Sequence, residues 1–308
     1  MLTEAFATAL LGGAVTAGVP LLLAGLGEQM SEKAGVLNVG IEGYMLAGAY
    51  AGFVGVLGTG SFAFGLACGA LGGVLVAAVM VLACVRLHLD QIVVGLALTL
   101  GIEGLTSLLH HAAFSQTFPR LPASPVLAVP MLAGLPVIGP AIFTRQAIFY
   151  LAVAAVPLLA SLYRATYLGA ALQAAGERPS ALDAAGVGVG LIRGWAVLAT
   201  GALAGLGGAV LSTVGAGLFV PFMTNGAGFI AIVLAMLARG RPTAVLGGAM
   251  LFGLCLSLQT ALQVSGVTLP TDLVQMIPFA AVLVVLTMVG RRARLPAALG
   301  TAFLRDNR

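Results

Sequence analysis

Charged side chains are scarce in this sequence. They make up 8% of 308 residues, where a soluble protein carries about 25%. Fourteen basic and ten acidic residues cannot coat a soluble surface of this size. Lipid needs no polar coat, so a bilayer is the solvent that suits the chain. Lysine occurs once, as Lys33, and Ala34 follows it. A P-loop needs Gly-Lys-Ser/Thr, so any ATP used by this protein is bound by another chain. The three histidines are His88, His110 and His111. They form no His-Glu-x-x-His pair and no metal set. The patterns Gly-x-Gly-x-x-Gly and Gly-x-Ser-x-Gly are absent, which removes the usual dinucleotide and serine-hydrolase signatures. Cys68, Cys84 and Cys255 each lie in an apolar run without Cys-x-x-Cys spacing, so they read as small core residues. The net charge of +4 is carried by scattered arginines rather than one basic face, which argues against nucleic acid.

Apolar residues are abundant, at 60%, and glycine supplies 43 of the 308 positions. The fold expected is therefore all-α: a polytopic membrane helix bundle with close helix packing. Crossing the bilayer takes about 20 apolar residues. Apolar runs lie near 5–27, 36–58, 61–85, 91–109, 146–163, 194–214, 225–238, 242–265 and 271–290. They predict about nine spans (eight to ten) in a single domain over 1–308, with no cleavable signal peptide. Alternating these spans puts twelve of the fourteen basic residues on one side, leaving only Arg120 and Arg145 opposite. That asymmetry marks the first side as cytoplasmic. It makes 110–145 a periplasmic loop, 164–193 a cytoplasmic loop and 291–308 a basic cytoplasmic tail. The outer loop holds six prolines, from Pro119 to Pro140, which prevent regular helix; a compact cap with one short helix is expected. In the inner loop, helix formers run from Leu168 to Ala175, Gly176 interrupts them, Pro179 opens a second short helix and Gly186 closes it.

The stretch 27–48 is polar and punctuated by glycine between two apolar runs. It predicts a broken helix near 28–45. Glu42 stands out, because an ionisable group within a span costs roughly 2.5–3.5 kcal/mol. Asn38 offers a donor and an acceptor to unpaired backbone. Two readings stand side by side here. One is a discontinuous helix bordering a transport path. The other is an inner loop whose Glu42 caps the first turn of the following helix. Glu103 reads as lying near the membrane surface beside His110 and His111, and Thr271 and Asp272 read as a helix cap. The pairs Gly48/Gly52, Gly65/Gly69/Gly73 and Gly201/Gly205 have the spacing of close helix contacts.

Two segments carry a resemblance. Glu32-Lys33-Ala34-Gly35-Val36-Leu37-Asn38-Val39-Gly40-Ile41-Glu42-Gly43 resembles a Ser-Glu-Arg-Ala-Gly-Val-Leu-Asn-Leu-Gly-Val-Glu-Gly signature, and Gly176-Glu177-Arg178-Pro179 through Ala184-Ala185-Gly186-Val187 resembles a Gly-Glu-Asn-Pro…Ala-Ala-Gly-Ile loop. Both belong to permease subunits of bacterial ABC importers of the branched-chain amino acid, ribose and nucleoside group. The likeness is greatest to the shorter of two paired permeases in nucleoside or simple-sugar systems. Residues 202–209, 223–231 and 273–278 are similar to that pattern too. Arg178, Ala227, Ala238 and Gly240 depart from it.

The resemblance implies a non-enzymatic permease in the bacterial inner membrane, importing a nucleoside or a simple sugar such as ribose by alternating access. It implies a second permease subunit, an ATP-binding subunit holding ATP and Mg, and an extracytoplasmic solute-binding lipoprotein. It implies no cofactor or metal on this chain. Gly176, Glu177, Arg178, Pro179, Ala181, Ala185 and Gly186 would form the coupling element that docks on the ATPase. Asn38, Glu42, Thr224, Asn225 and Phe229 are the candidate path residues. The rival expectation is a proton-coupled secondary transporter using Glu42 and Glu103.

Overall fold

A computed structural model describes residues 2–115, 117–264 and 295–303, with scattered helical positions between 276 and 287. Among the described residues, ten α-helices are delimited in order. They are α1 (Leu2–Lys33), α2 (Ile41–Thr59), α3 (Phe62–Met80), α4 (Gln91–Phe114), α5 (Ala147–Ala165), α6 (Tyr167–Glu177), α7 (Pro179–Ala184), α8 (Val189–Val210), α9 (Ala227–Ala238) and α10 (Pro242–Val264). Single π-helical segments prolong α3 to Arg86 and α8 to Ala216. Helix starts follow local chemistry. Asp90 accepts from the backbone N–H of Ile92 and Val93 at the head of α4, both at 2.9 Å, and Thr166 accepts from Gly169 at the head of α6.

Six helices among the described residues are long and apolar enough to cross a membrane, and two shorter apolar ones cover 227–238 and 242–258. The expected run at 271–290, with Thr271 and Asp272, lies largely outside the described residues. The loop 110–145 differs from the expectation in detail. α4 runs on to Phe114, and the cap is held by a two-residue antiparallel pairing of β1 (Leu127–Ala128) with β2 (Thr144–Arg145). A five-residue π turn, Gly139–Phe143, stands where one short helix was expected.

α1 lies at the centre, packed on α8, α9 and α10. The glycine pairs supply a second tight seam joining α2, α3 and α8. A Cβ on Gly48 would strike the carbonyl of Gly205, one on Gly73 the carbonyl of Gly201, and one on Gly208 the carbonyl of Met45. Backbones this close admit no side chain. Gly205→Val is therefore expected to lower the thermal midpoint of the purified protein or prevent its accumulation, since overpacking costs on the order of 1–3 kcal/mol or more. Gly104→Ala, where a Cβ meets nothing within 4 Å, should leave the midpoint unchanged or slightly higher. Equal loss in both would mean the seam is not the tight contact described.

Sidedness is visible in the packing. Gly35 lies against Gly176, Arg193 and Ala298, Gly240 against Lys33, and Val36, His88 and Phe303 border one small cleft. Four of the five arginine- or lysine-bearing loops, and residues 295–303 of the fifth, thus gather at one end, here called the basic end. Arg145 sits at the other end, bonded to Thr16 of α1, and burial pulls its pKa down.

Candidate functional site

The chain between α1 and α2 does not turn at the surface. It is buried: Ala34, Val36 and Asn38 are 0% exposed. Packing pairs give its depth. Gly207 lies against Pro20 of α1, and its neighbour Gly208 against Met45 of α2. Met45 is therefore level with Pro20, thirteen residues or about 20 Å inward from Lys33. The seven residues 34–40 run into the bundle, and α2 starts inside it. Non-helical backbone at this depth must be satisfied by protein. Leu37 N donates to the Gln91 side chain at 2.8 Å, Asn38 N to Glu28 Oε1 at 3.3 Å, and Val36 N to the Ser31 carbonyl at 2.9 Å. The break expected near 28–45 exists and is narrower, because α1 stays helical to Lys33.

Glu42 lies in the first turn of α2 and is 2% exposed. It acts as a cap, but for another helix than its own. Its Oε1 accepts from Gly226 N at 2.8 Å and its Oε2 from Gly228 N at 2.6 Å. These are orphan donors at the start of α9, which has no side-chain cap of its own. The carboxylate also meets the positive end of the α9 dipole. Gly228 is required here, since a Cβ would fall 2.6 Å from the Glu42 backbone. Two helices therefore begin beside one another inside the bundle, with one carboxylate between them.

The other candidate path residues cluster there. Thr224 is 4% exposed and its carbonyl accepts from Ala227 N. Asn225 is exposed with φ +44, and Phe229 is 40% exposed. Asn38 sits on the α1 side, its side-chain amide beside the Tyr44 hydroxyl. Glu103 is half-buried in α4, and no hydrogen bond to its carboxylate is seen among the described residues. Glu28 and Gln91 were not singled out from sequence, although both are polar groups beside or inside apolar runs.

At the basic end, α6 and α7 form a bent pair. Gly176 does not interrupt α6, as expected, but lies in its last turn. A Cβ there would strike the Lys33 carbonyl, so this glycine brings α6 onto the end of α1. Glu177 closes α6, Arg178 stands between the helices, and Pro179 opens α7. Ala181, Ala185 and Gly186 are exposed, Gly186 with φ +81, and only Leu182 of α7 is buried. The pair is a knob pinned by Leu182 against Ala171, Ala175 and Val189.

Arg193 of α8 ties the knob to the break. It is 4% exposed and bonds only carbonyls among the described residues. Its guanidinium donates to Ala34 at 3.1 Å in the break, Ala175 at 3.3 Å in α6, and Thr301 at 2.7 Å and Ala298 at 3.5 Å near the C-terminus. From sequence it counted only as one more loop arginine.

The model of the family described as the branched-chain amino acid transport system permease component matches residues 9–286. The chain belongs to that permease family. A putative glucose ABC transporter permease of Haloferax volcanii is 42% identical over 255 residues, covering 82% of this chain and 78% of the relative. A nucleoside ABC transporter permease of Lactococcus lactis is 30% identical over 297 residues, covering 93% and 94%. A guanosine ABC transporter permease of Bacillus subtilis is 28% identical over 303 residues, covering 94% of each. The permease is thus a multi-pass membrane protein of the ABC transporter class, a class of subunit that is not itself an enzyme.

Proposed function

We propose that the permease is the membrane subunit of an ATP-driven importer for a small polar solute bearing a sugar ring, a nucleoside in the first place. One observation carries the reading: an exposed two-helix knob at the basic end is joined through Arg193 to a helix break beside Glu42. A push on the knob reaches the interior without passing through flexible loop. The positive-inside rule makes the basic end cytoplasmic, with the C-terminus there and 110–145 in the periplasm. Residues 176–186 dock on an ATP-binding subunit, which holds ATP and Mg. A second permease subunit completes the path, and an extracytoplasmic binding protein delivers solute. Asn38, Glu42, Thr224, Asn225 and Phe229 border the path. Closure of the ATPase moves the knob, and the helices rock between two states whose balance solute and ATP bias through unequal affinity.

The nucleoside assignment is supported by two relatives, named for nucleoside and guanosine, that align over 94% of their own lengths. The 42%-identical relative named for glucose favours a simple sugar as the second reading. Both oxygens of Glu42 accept from backbone N–H groups of the α9 start, which favours a structural cap for this residue.

Reconstitution of the subunits in proteoliposomes tests this. Uptake of labelled uridine should need ATP on the basic side and binding protein on the other, and should ignore a pH gradient. Uptake by the permease alone, driven by a pH gradient, would establish the rival proton-coupled transporter.

A further inference from the structure

The outer cap carries a surface ill suited to water. From Val126 to Phe143 the sequence holds only apolar residues, glycine and proline, with no charged, amide or hydroxyl side chain. No Asp or Glu occurs between Glu103 and Glu177. Much of the stretch nevertheless faces outward. Met131 is 96% exposed, and Val126, Leu127, Leu132, Leu135 and Ile138 are 41–55% exposed. An exposed apolar patch of this kind marks a contact with something other than water. The backbone is prepared for such a contact. Ala133 N donates to the Val129 carbonyl, Gly139 N to Leu135 and Ala141 N to Val137, while Val129 N donates to Phe143. Pro130, Pro136 and Pro140 have no N–H to satisfy. A Cβ on Gly139 would strike the Ala133 carbonyl, so the turn is folded tightly on itself.

Helix lengths fix how far out the cap lies. Exposed Arg164 ends α5 at the basic end and marks the inner edge of the hydrocarbon, since a charge at depth is costly. α5 starts at Ala147, seventeen residues or about 26 Å outward, and any tilt only shortens that distance. The hydrocarbon is about 30 Å thick. β2 adjoins the start of α5, and the Tyr150 hydroxyl in its first turn lies 3.3 Å from the carbonyls of both Leu127 and Ile142. Ile142 packs on the cluster that holds Val15, Val19 and Phe149. The strand pair and the π turn therefore sit at the outer edge of the hydrocarbon, not above the headgroups. We propose that the apolar face of residues 126–138 is a membrane-contact surface, seated in the acyl–headgroup boundary of the outer leaflet, which holds the cap against the bilayer. A docked protein fits this face less well, because protein interfaces carry a polar rim and this stretch has no polar side chain to build one. The sidedness argued above names the leaflet; the insertion does not depend on it.

The test uses the assembled transporter, the permease with its partner subunits, in lipid nanodiscs. Met131→Cys carries a nitroxide label, on a permease in which Cys68, Cys84 and Cys255 are replaced by alanine. Collision of the label with oxygen, which concentrates in lipid, is compared with collision with a water-soluble nickel chelate. Oxygen is expected to exceed the chelate several-fold. Leu135→Cys repeats the measurement and covers the case where a label at position 131 disturbs the turn. Collision with the chelate as frequent as with oxygen at both positions would place the cap in water and overturn the proposal. Little collision with either reagent would mean that a protein surface, the second permease or the binding protein, covers the turn, and would overturn it as well.

Discussion

Replacing Glu42 with alanine is expected to lower the thermal midpoint of the permease by about 5–10 °C and to stop solute uptake. The carboxylate accepts from Gly226 N and Gly228 N inside the bundle. Without it, the buried Gly228 N–H and the part-buried Gly226 N–H lose their partner, at about 1–3 kcal/mol for the buried one and less for the other. The favourable contact with the α9 dipole is lost as well. Glu42→Gln should fall between, because it keeps one acceptor oxygen and turns an NH2 group on the other donor. Glu103→Ala, at an acid that caps no helix among the described residues, should shift the midpoint little. Thermal unfolding of detergent-purified protein and uptake in proteoliposomes check both points. An unchanged midpoint in Glu42→Ala would mean that the residue touches solute or proton rather than holding α9.

Much of this arrangement is legible in the sequence, and the remainder fails for identifiable reasons. Scarce charge and long apolar runs announce the membrane. The arginine distribution separates the two ends, since the loops it groups together meet in space. Pro179 and Gly186 frame α7 because each fixes backbone geometry locally. The break at 34–40 is foreshadowed by its glycines and polar groups. What stays hidden is pairing over distance. Glu42 caps a helix 184 residues away, and residue type alone does not distinguish that from capping its own helix. Arg193 looks like any loop arginine until its four carbonyl partners converge. Gly176 looks like a helix breaker, yet its lack of a side chain serves contact with Lys33 instead. Glycine spacing suggested three seams, but only the fold shows that they are one.

The account's central claim is mechanical: work done elsewhere enters through the knob. α7 contributes one buried side chain, Leu182, to the packed interior, so removing it should cost about 2–3 kcal/mol and leave the main bundle seams in place. Arg193 binds α6 rather than α7, so its ties to Ala34, Ala298 and Thr301 should survive the deletion. What the deletion removes is the exposed surface formed by Ser180, Ala181 and Ala185, with half-buried Pro179 beside it. The most direct test is therefore solute-stimulated ATP hydrolysis by the assembled transporter whose permease lacks residues 179–185, with membrane content of the chain measured in parallel. The account predicts normal membrane content, stimulation reduced at least about tenfold, the equivalent of about 1.4 kcal/mol of coupling, and uptake at background. Wild-type stimulation and uptake by the deletion variant would contradict it.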